Sequence, residues 1–184
     1  MWELDLLYSM SFLFDRTCNT PRMFSQLVFH KWGAVMLVFQ FVAILASTFF
    51  SGASIYINLV EHPAWIECGT SVAVTVFRPV YRRAAVMQVM LALLATGAGL
   101  AAWITGGSVL WLVGALLIFA VIPFTLVVIR PTNKQLLDTA TDPASAQTQR
   151  LLLRWGRLHA VRSILALVSS VVFLVCVIGL PPGS

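Results

Sequence analysis

Long uncharged runs dominate the pattern of hydrophobic and polar positions along this chain. No Asp, Glu, Lys or Arg occurs between Lys31 and Glu61, between Arg83 and Arg130, or after Arg162. A helix that crosses a bilayer needs roughly 20 predominantly apolar residues. The first and last runs each accommodate one such helix, and the middle run is long enough for two. The pattern therefore predicts four transmembrane helices.

Turn-forming residues give the expected limits of these helices. The Thr-Gly-Gly-Ser sequence at 105–108 predicts a tight turn between two antiparallel helices of the middle run. Pro79 is expected to open the second helix, because proline is well tolerated in a first helical turn. We expect the first three spans to cover about residues 33–59, 79–104 and 109–129.

Other prolines are predicted to interrupt helical geometry. A residue that precedes proline is disfavoured in the α conformation. The first span is therefore expected to end near His62 and the third near Arg130, since each precedes a proline. Pro123 lies inside the third span and is expected to kink it.

The last span is predicted to be extended. Thr132 and Gln135 have the spacing of a capping box, which predicts a short helix over 134–139. The Asp-Pro pair at 142–143 predicts the start of the next helix, and no strong breaker follows before residue 180. One helix of that length would measure roughly 55 Å. It would therefore either project beyond the bilayer or bend near Gly156.

The composition agrees with an integral membrane protein. Hydrophobic residues make up 59% of the chain and charged residues only 10%, whereas soluble domains are usually about 25% charged. The predicted fold class is an all-α, integral membrane four-helix bundle with an extended last helix. Residues 23–184 are predicted to form a single four-span membrane domain. Residues 1–22 are predicted to be an N-terminal extension, either an interfacial helix or an over-long start before Met23.

Positive charges are concentrated at one end of the predicted bundle. The net charge is +5, but the basic residues flank spans, which indicates contact with a lipid bilayer and not with nucleic acid. Three Lys or Arg residues fall on the side of the termini and nine on the side of the first and third loops: Arg16, Arg22 and Lys31 against Arg78, Arg82, Arg83, Arg130, Lys134, Arg150, Arg154, Arg157 and Arg162. The positive-inside rule places those two loops in the cytoplasm and both termini outside, in what we expect to be a bacterial inner membrane.

Polar residues from separate spans are predicted to meet at this loop end. At helical spacing Trp155, His159 and Arg162 share one face where the last apolar run begins. His62 and Asn133 end the first and third runs on the same side of the membrane. Ionisable residues near membrane depth usually face the interior of a bundle. These residues therefore predict a polar pocket at the membrane edge.

The residue types in this pocket suit proton abstraction. A neutral histidine can remove a proton near neutral pH, and a fixed guanidinium can stabilise the oxyanion that results. Each residue also has a purely structural interpretation, for example Trp155 as part of an interfacial aromatic belt. A metal site built from Glu61, His62 and His159 is a further alternative. Those histidines lack metal-ligand spacing, and the three cysteines have no paired spacing, so no metal site is predicted.

Four short motifs follow one another along the chain. They are SGASIYINLVEHPAW from residue 51, FRPVYRRA from 77, RPTNKQL from 130 and RWGRLHAVR from 154. In this order they resemble the family of four-helix membrane proteins that includes the fungal anthrone oxygenases. The resemblance covers about residues 33–180.

The resemblance implies a membrane-embedded oxidoreductase that acts on a lipophilic aromatic or quinone-like substrate. Characterised fungal members of that family oxidise an anthrone to an anthraquinone. The catalytic positions that it implies here are His62, Asn133, His159 and Arg162. Trp155 would line the pocket, and Glu61 is assigned with it to substrate binding. Proton removal by a histidine would give an electron-rich anion that reacts with dioxygen, and this chemistry requires no metal.

Two classes of function stay open on the sequence. The alternative to an enzyme is a non-catalytic transmembrane subunit of a larger membrane protein complex. A transporter is disfavoured, because the sequence shows neither paired broken helices nor an internal repeat. The expected partners are the bilayer, a lipophilic small molecule, and either other membrane proteins or further copies of this chain. The substrate, the electron acceptor and any cofactor are not identified by the sequence.

Overall fold

The protein folds into four long helical spans. The computed structural model describes the backbone of residues 20–179 and the side chains of 33–179. Within this part of the chain, four stretches are long and apolar enough to cross a membrane: Gly33–Glu67, Thr70–Ile104, Val109–Leu137 and Ala146–Ile178. The predicted all-α four-helix membrane bundle is confirmed. The predicted N-terminal extension lies outside the described residues up to residue 19.

Two of the spans are composite. In chain order the elements are α1 (Thr20–Tyr56), a first π-helical segment (Ile57–Glu61), α2 (His62–Glu67), α3 (Thr70–Ile104), α4 (Val109–Phe124), a second π-helical segment (Thr125–Ile129), α5 (Arg130–Leu137) and α6 (Ala146–Ile178). The first span is therefore α1, the first π segment and α2. The third span is α4, the second π segment and α5.

The expectation that the first and third spans end before proline is wrong. The chain remains helical through Pro63 and Pro131, which lie in the first turns of α2 and α5. The residue before each proline bonds five residues back, His62 N–H to Ile57 O and Arg130 N–H to Thr125 O. In a regular α-helix a proline ring clashes with the carbonyl group four residues earlier. The wider π turn holds one extra residue and so changes the alignment of that carbonyl group with the proline ring.

The second span begins earlier than Pro79. Helix α3 starts at Thr70, directly after Gly69, and contains Pro79 in its interior. Gly69 has a φ of +94°, a left-handed conformation that favours glycine. This glycine, and not the proline, reverses the chain between α2 and α3. The predicted turn at 105–108 is present, and Gly106 within it has a φ of +107°.

The last helix begins after the predicted Asp-Pro start. Ser145 is its N-cap and accepts a hydrogen bond from the backbone N–H of Thr148 at 3.2 Å. Asp142 instead closes the preceding turn, where its Oδ1 accepts from Ala144 N–H at 3.0 Å. The helix continues unbroken through Gly156 and spans 33 residues, a length of roughly 50 Å. The short helix expected over 134–139 is found earlier, as α5.

Small residues bring the four spans together. Helices α1 and α4 each pack against both α3 and α6, so the spans form a closed four-membered bundle. Ser47 and Ser51 are buried, and the Ser51 and Ser170 hydroxyls lie 3.3 Å apart between α1 and α6. Many large apolar side chains face outward, for example Phe41, which is 64% exposed. This distribution is typical of helices that pack through small residues in lipid.

Candidate functional site

A cavity lies inside the bundle at the loop end. It measures about 150 Å³, similar to cavities that admit a single benzene ring. Aromatic and aliphatic side chains from all four spans form most of its wall. The polar residues that line it are Tyr81, Gln88, Thr125, Asn133, His159 and Arg162. The site is therefore apolar overall, with a few polar groups placed among aromatic rings.

The cavity reaches the outer surface of the bundle between α3 and the second π segment. Val89 on α3 and Leu126 on the π segment both line it, and these side chains are 46% and 57% exposed. Ala84 and Ala85 form part of the same wall and leave room beside them. In a bilayer the exposed apolar side chains of Val89 and Leu126 face lipid.

Asn58, in the first π segment, is held in one orientation by helix α6. Its Nδ2 donates to the backbone oxygen of Gly156 at 3.1 Å. Its Oδ1 therefore faces the other way and accepts from the Ser163 hydroxyl at 2.6 Å. If the Asn58 amide were reversed, its Oδ1 would face the carbonyl oxygen of Gly156, and neither atom could donate. The hydrogen bonds therefore determine which amide atom is nitrogen and which is oxygen.

This orientation determines the tautomer of His159. The Nδ1 atom of His159 lies 2.7 Å from Asn58 Oδ1, an oxygen that can only accept, so Nδ1 carries the proton. In the neutral ring the lone pair is then on Nε2. His159 is buried and lines the cavity, and no residue of 33–179 hydrogen-bonds its Nε2. The ring is thus oriented as a proton acceptor facing the cavity.

Trp155 contacts the rings of both histidines. It stacks on His159 with ring centroids 4.7 Å apart and an interplanar angle of 27°, and its centroid is 5.6 Å from that of His62. Phe77 meets the Trp155 ring edge-on at 5.2 Å. His62 is directed away from the cavity wall, and its Nε2 lies 3.0 Å from the Leu152 carbonyl oxygen. Trp155 therefore lines the cavity, and His62 supports it from behind.

Arg162 carries a buried positive charge at the inner end of the cavity. The side chain is only 8% exposed, and the guanidinium lies 5.2 Å from the Phe50 ring centroid. Its Nη2 donates to Gln88 Oε1, and Gln88 Nε2 donates in turn to the Ser54 hydroxyl at 3.2 Å. The Nε of Arg162 has no hydrogen-bond partner, and no carboxylate of residues 33–179 contacts the guanidinium. A buried cation paired only with a neutral amide favours an anion in the adjacent space.

Asn133 and Tyr81 form the outer wall of the cavity. Asn133 Nδ2 donates to the Tyr81 hydroxyl at 3.0 Å, and Asn133 Oδ1 is buried without a hydrogen-bond partner. The Tyr81 proton is consequently free to donate elsewhere. Together the two side chains offer one donor and one acceptor to a ligand.

The local sequence explains how these groups meet. Trp155, His159 and Arg162 follow one another at helical spacing along α6, as predicted, and all three are buried. Asn58 lies within the first π segment, and Asn133 lies one turn after the second. One wide turn thus carries an amide of the site and the other lies one turn before the second amide, and π-bulges are frequently found at such functional positions.

The structure brings together four of the six residues singled out from the sequence. Asn133, Trp155, His159 and Arg162 line the cavity, whereas His62 lies one ring behind it. Glu61 lies in the first π segment and is not part of the cavity wall.

Sequence reasoning missed Thr125, which lines the cavity, and three polar residues that hydrogen-bond other members of the site. These are Asn58, Tyr81 and Gln88. Gln88 had a usable signal, because it is the one amide in the uncharged run from residue 84 to 129, and polar residues inside a span usually face the bundle interior.

The metal alternative finds no support in the described part of the chain. Among residues 33–179, no group of three His, Cys, Asp or Glu side chains could hold a metal ion. His62 and His159 both contact the Trp155 ring, and each has a ring nitrogen engaged with an oxygen of the protein.

The fold and the site define a helical membrane protein with a buried base and a buried cation around an apolar cavity. A family model described as anthrone oxygenase matches residues 77–172. A curated relative, anthrone oxygenase tpcL of Aspergillus fumigatus, is 32% identical over 151 residues, which cover 77% of this chain and 94% of the relative. The chain belongs to the anthrone oxygenase family. No solved structure matches it.

Proposed function

We propose that this protein is a membrane-embedded oxygenase that oxidises a lipophilic, anthrone-like aromatic ketone. The observation that carries the proposal is the arrangement of His159 and Arg162 around one cavity. A histidine fixed with its Nε2 lone pair toward the cavity can take a proton. A buried guanidinium that contacts no carboxylate of residues 33–179 can stabilise the anion that remains.

His159 acts as the base on the methylene carbon of the substrate. This carbon–hydrogen bond is acidic, because its electron pair can pass through the aromatic system onto the ketone oxygen. Nε2 takes the proton while Asn58 retains the proton on Nδ1. The negative charge that develops on the oxygen is stabilised by Arg162, which is already in place before the reaction and so needs no reorganisation.

Dioxygen is the oxidant, and the atoms balance. The carbon anion donates its electron pair to dioxygen, a carbon–oxygen bond forms, and the distal oxygen receives the proton from His159. His159, neutral again, then takes the second methylene proton. The electron pair of that carbon–hydrogen bond forms the carbonyl bond as the oxygen–oxygen bond breaks, and the hydroxide that leaves takes the proton back from His159. One oxygen atom remains as the new carbonyl, the other leaves as water, and the methylene carbon has lost four electrons to dioxygen.

Tyr81 and Asn133 orient the substrate in this proposal. A phenolic hydroxyl next to the ketone can donate to the unpaired Asn133 Oδ1, and the Tyr81 hydroxyl can donate to the ketone or phenol oxygen. Trp155 and Phe77 supply flat apolar surfaces for the rings. Such a substrate partitions into membranes and would enter between α3 and the second π segment, where the cavity reaches the lipid side.

The test is a comparison of His159→Gln with the wild-type protein in reconstituted vesicles. We expect oxygen uptake and quinone formation from an anthrone to fall at least about a hundredfold, a loss typical of removing a general base. Vesicles without protein measure spontaneous oxidation of the substrate. Glutamine retains a polar side chain, so the amount of folded protein should change little.

His62→Gln is the matched comparison. It removes a hydrogen bond to Leu152 behind Trp155, so we expect a clearly smaller loss of turnover than for His159→Gln. Equal losses would show that His62 shares the chemistry, as the family resemblance implies. Unchanged turnover in His159→Gln, or a wild-type protein that never exceeds the empty vesicles, would exclude the base mechanism and favour a non-catalytic membrane subunit.

We also infer that the site end of the bundle faces the cytoplasm of a bacterial inner membrane. The inference rests on the excess of Lys and Arg at that end. Basic side chains such as Arg82, Arg83, Arg154 and Arg157 are exposed there, as residues that contact water or lipid phosphates should be.

A further inference from the structure

An open basin lies beside the cavity, on the other side of Tyr81 and Asn133. Its volume is about 500 Å³, and it is lined by Tyr81, Arg130, Asn133, Lys134, Leu137 and Asp138. Tyr81 and Asn133 also line the inner cavity. Their hydrogen bond of 3.0 Å therefore separates the inner cavity from an open basin whose wall carries charged side chains.

The basin has two cations that are free to meet a ligand. Arg130 and Lys134 lie four residues apart on α5, so their side chains share one face, and both are exposed. No ion pair or hydrogen bond within residues 33–179 engages either side chain. The neighbouring Arg78 differs, because its guanidinium donates to the backbone oxygens of Leu136 and Asp138.

Asp138 is the one carboxylate of the basin wall. Its Oδ1 accepts from the backbone N–H of Ala140 at 2.9 Å, which directs it toward its own turn. Arg130 and Lys134 together carry two positive charges against this single negative charge. The basin therefore favours a ligand group with a negative charge, such as a carboxylate or a phosphate.

The enclosed part of the inner cavity has room for about one aromatic ring. Its volume of about 150 Å³ suits a single aromatic ring, whereas an anthrone has three fused rings. The remainder of a bound substrate must extend either toward lipid, past Val89 and Leu126, or past the Tyr81–Asn133 pair into the basin. A polar substituent is far better accommodated in the basin than in lipid.

We propose that the basin is a subsite for an anionic substituent of the substrate, and that Arg130 and Lys134 bind it. The substrate class is then an amphiphilic aromatic ketone that carries a carboxylate at the end remote from the reacting carbon. This inference rests on the proposed function for the nature of the ring system. The binding of the acid itself can be measured without turnover.

The experiment compares an acidic ligand with its neutral counterpart. Anthraquinone-2-carboxylate and anthraquinone are stable product analogues, and their binding to protein in neutral-lipid vesicles can be followed by quenching of tryptophan fluorescence. We expect Arg130→Gln and Lys134→Gln each to raise the Kd of the carboxylate about tenfold, as for loss of a charge-assisted hydrogen bond. The Kd of the neutral quinone should stay the same.

Arg157→Gln is the matched control, because Arg157 is exposed on α6 and does not line the basin. It removes the same charge at the same end of the bundle and should leave both Kd values unchanged. An equal effect of all three substitutions, or an effect that appears only with anionic lipid, would mean that these residues bind lipid phosphates, and the subsite proposal would fail.

Turnover distinguishes this proposal from the proposed function. If the carboxylate binds in an Arg130-dependent and Lys134-dependent manner but no anthrone is oxidised, the subsite is supported and the oxygenase proposal fails. If anthrones are oxidised but the acidic and neutral forms have the same KM in wild type and in both variants, the subsite proposal fails and the oxygenase stands.

Discussion

At the scale of single residues, Gly156 explains how His62 and Trp155 fit against the last helix. A Cβ atom added at Gly156 would lie 2.8 Å from Nε2 and 2.9 Å from Nδ1 of His62, closer than real Cβ contacts allow. The same glycine presents its carbonyl oxygen to Asn58. One residue without a side chain thus allows a histidine ring to lie on α6 and an amide to be oriented for His159.

Gly156→Ala is therefore expected to destabilise the protein. The new methyl group must displace the His62 ring and weaken its contact with Leu152, at a cost of about 1–3 kcal/mol, as for other overpacked interiors. Thermal unfolding in detergent measures the loss. The control is Gly97→Ala on α3, because nothing lies within 4 Å of a Cβ at Gly97. If both substitutions lower Tm equally, the contact with His62 is not what requires a glycine.

The residues of the site were predictable to different degrees for physical reasons. His159, Arg162 and Trp155 are neighbours on one regular helix, so their spacing alone predicts a shared face. Asn58 contacts His159 across 101 positions of sequence, and no periodic pattern links residues on different helices. Its position also depends on a π turn, which a helical period of 3.6 residues does not describe.

At the scale of elements, the two π segments have the same relation to proline and to the site. Each π segment ends two residues before a proline. The first segment contains Asn58, and the second lies one turn before Asn133. The sequence motifs EHP and RPT were expected to end helices, because the rule for the residue before proline is derived from regular α geometry. The π turn removes that conflict, so the helix continues.

Deleting one lipid-facing residue of the second π segment tests its role. Val127 is 73% exposed, and its removal should convert the segment to a regular α-helix and rotate Asn133 by about 100° relative to α4. We expect loss of the Tyr81–Asn133 hydrogen bond and a fall in anthrone turnover of about a hundredfold, a reasonable effect of a displaced site residue. Oxygen uptake in vesicles measures the change.

The control for this deletion is Val127→Ala, which keeps the number of residues and should retain near wild-type turnover. Circular dichroism must show that both variants remain helical. Full activity in the deletion variant would contradict a requirement for the π turn.

At the scale of the whole molecule, the apolar surface and the charged end define how the bundle sits in a membrane. Large side chains such as Leu37 and Ile104 are 62% and 75% exposed, while Ala and Ser make up much of the buried interior beside a few large aromatic side chains such as Trp111 and Phe173. The number and type of helices followed directly from the uncharged runs of sequence. The limits of the helices did not. They are determined by glycines with positive φ and by π turns, and not by the prolines.

The proposed orientation can be tested with one native cysteine. Cys68 is exposed in the turn between α2 and α3, at the site end. In a Cys18→Ala, Cys176→Ala variant, we expect a membrane-impermeant maleimide added to intact cells to leave Cys68 unlabelled and to label it after permeabilisation. Labelling of intact cells at the same rate would place the site end outside and reverse the proposed orientation.

The amide of Asn58 has a consequence for how protons move through the protein. When His159 is protonated, the Asn58 amide cannot take the proton from Nδ1, as a carboxylate could. None of the described residues in the cavity wall is Asp or Glu. Under the proposed function, the proton taken by His159 therefore meets no carboxylate among the described residues of the cavity wall. It returns to the oxygen that leaves as water, so each turnover ends with the protein in the protonation state in which it began. A membrane enzyme of this kind needs no proton channel and does not couple its reaction to the potential across the bilayer.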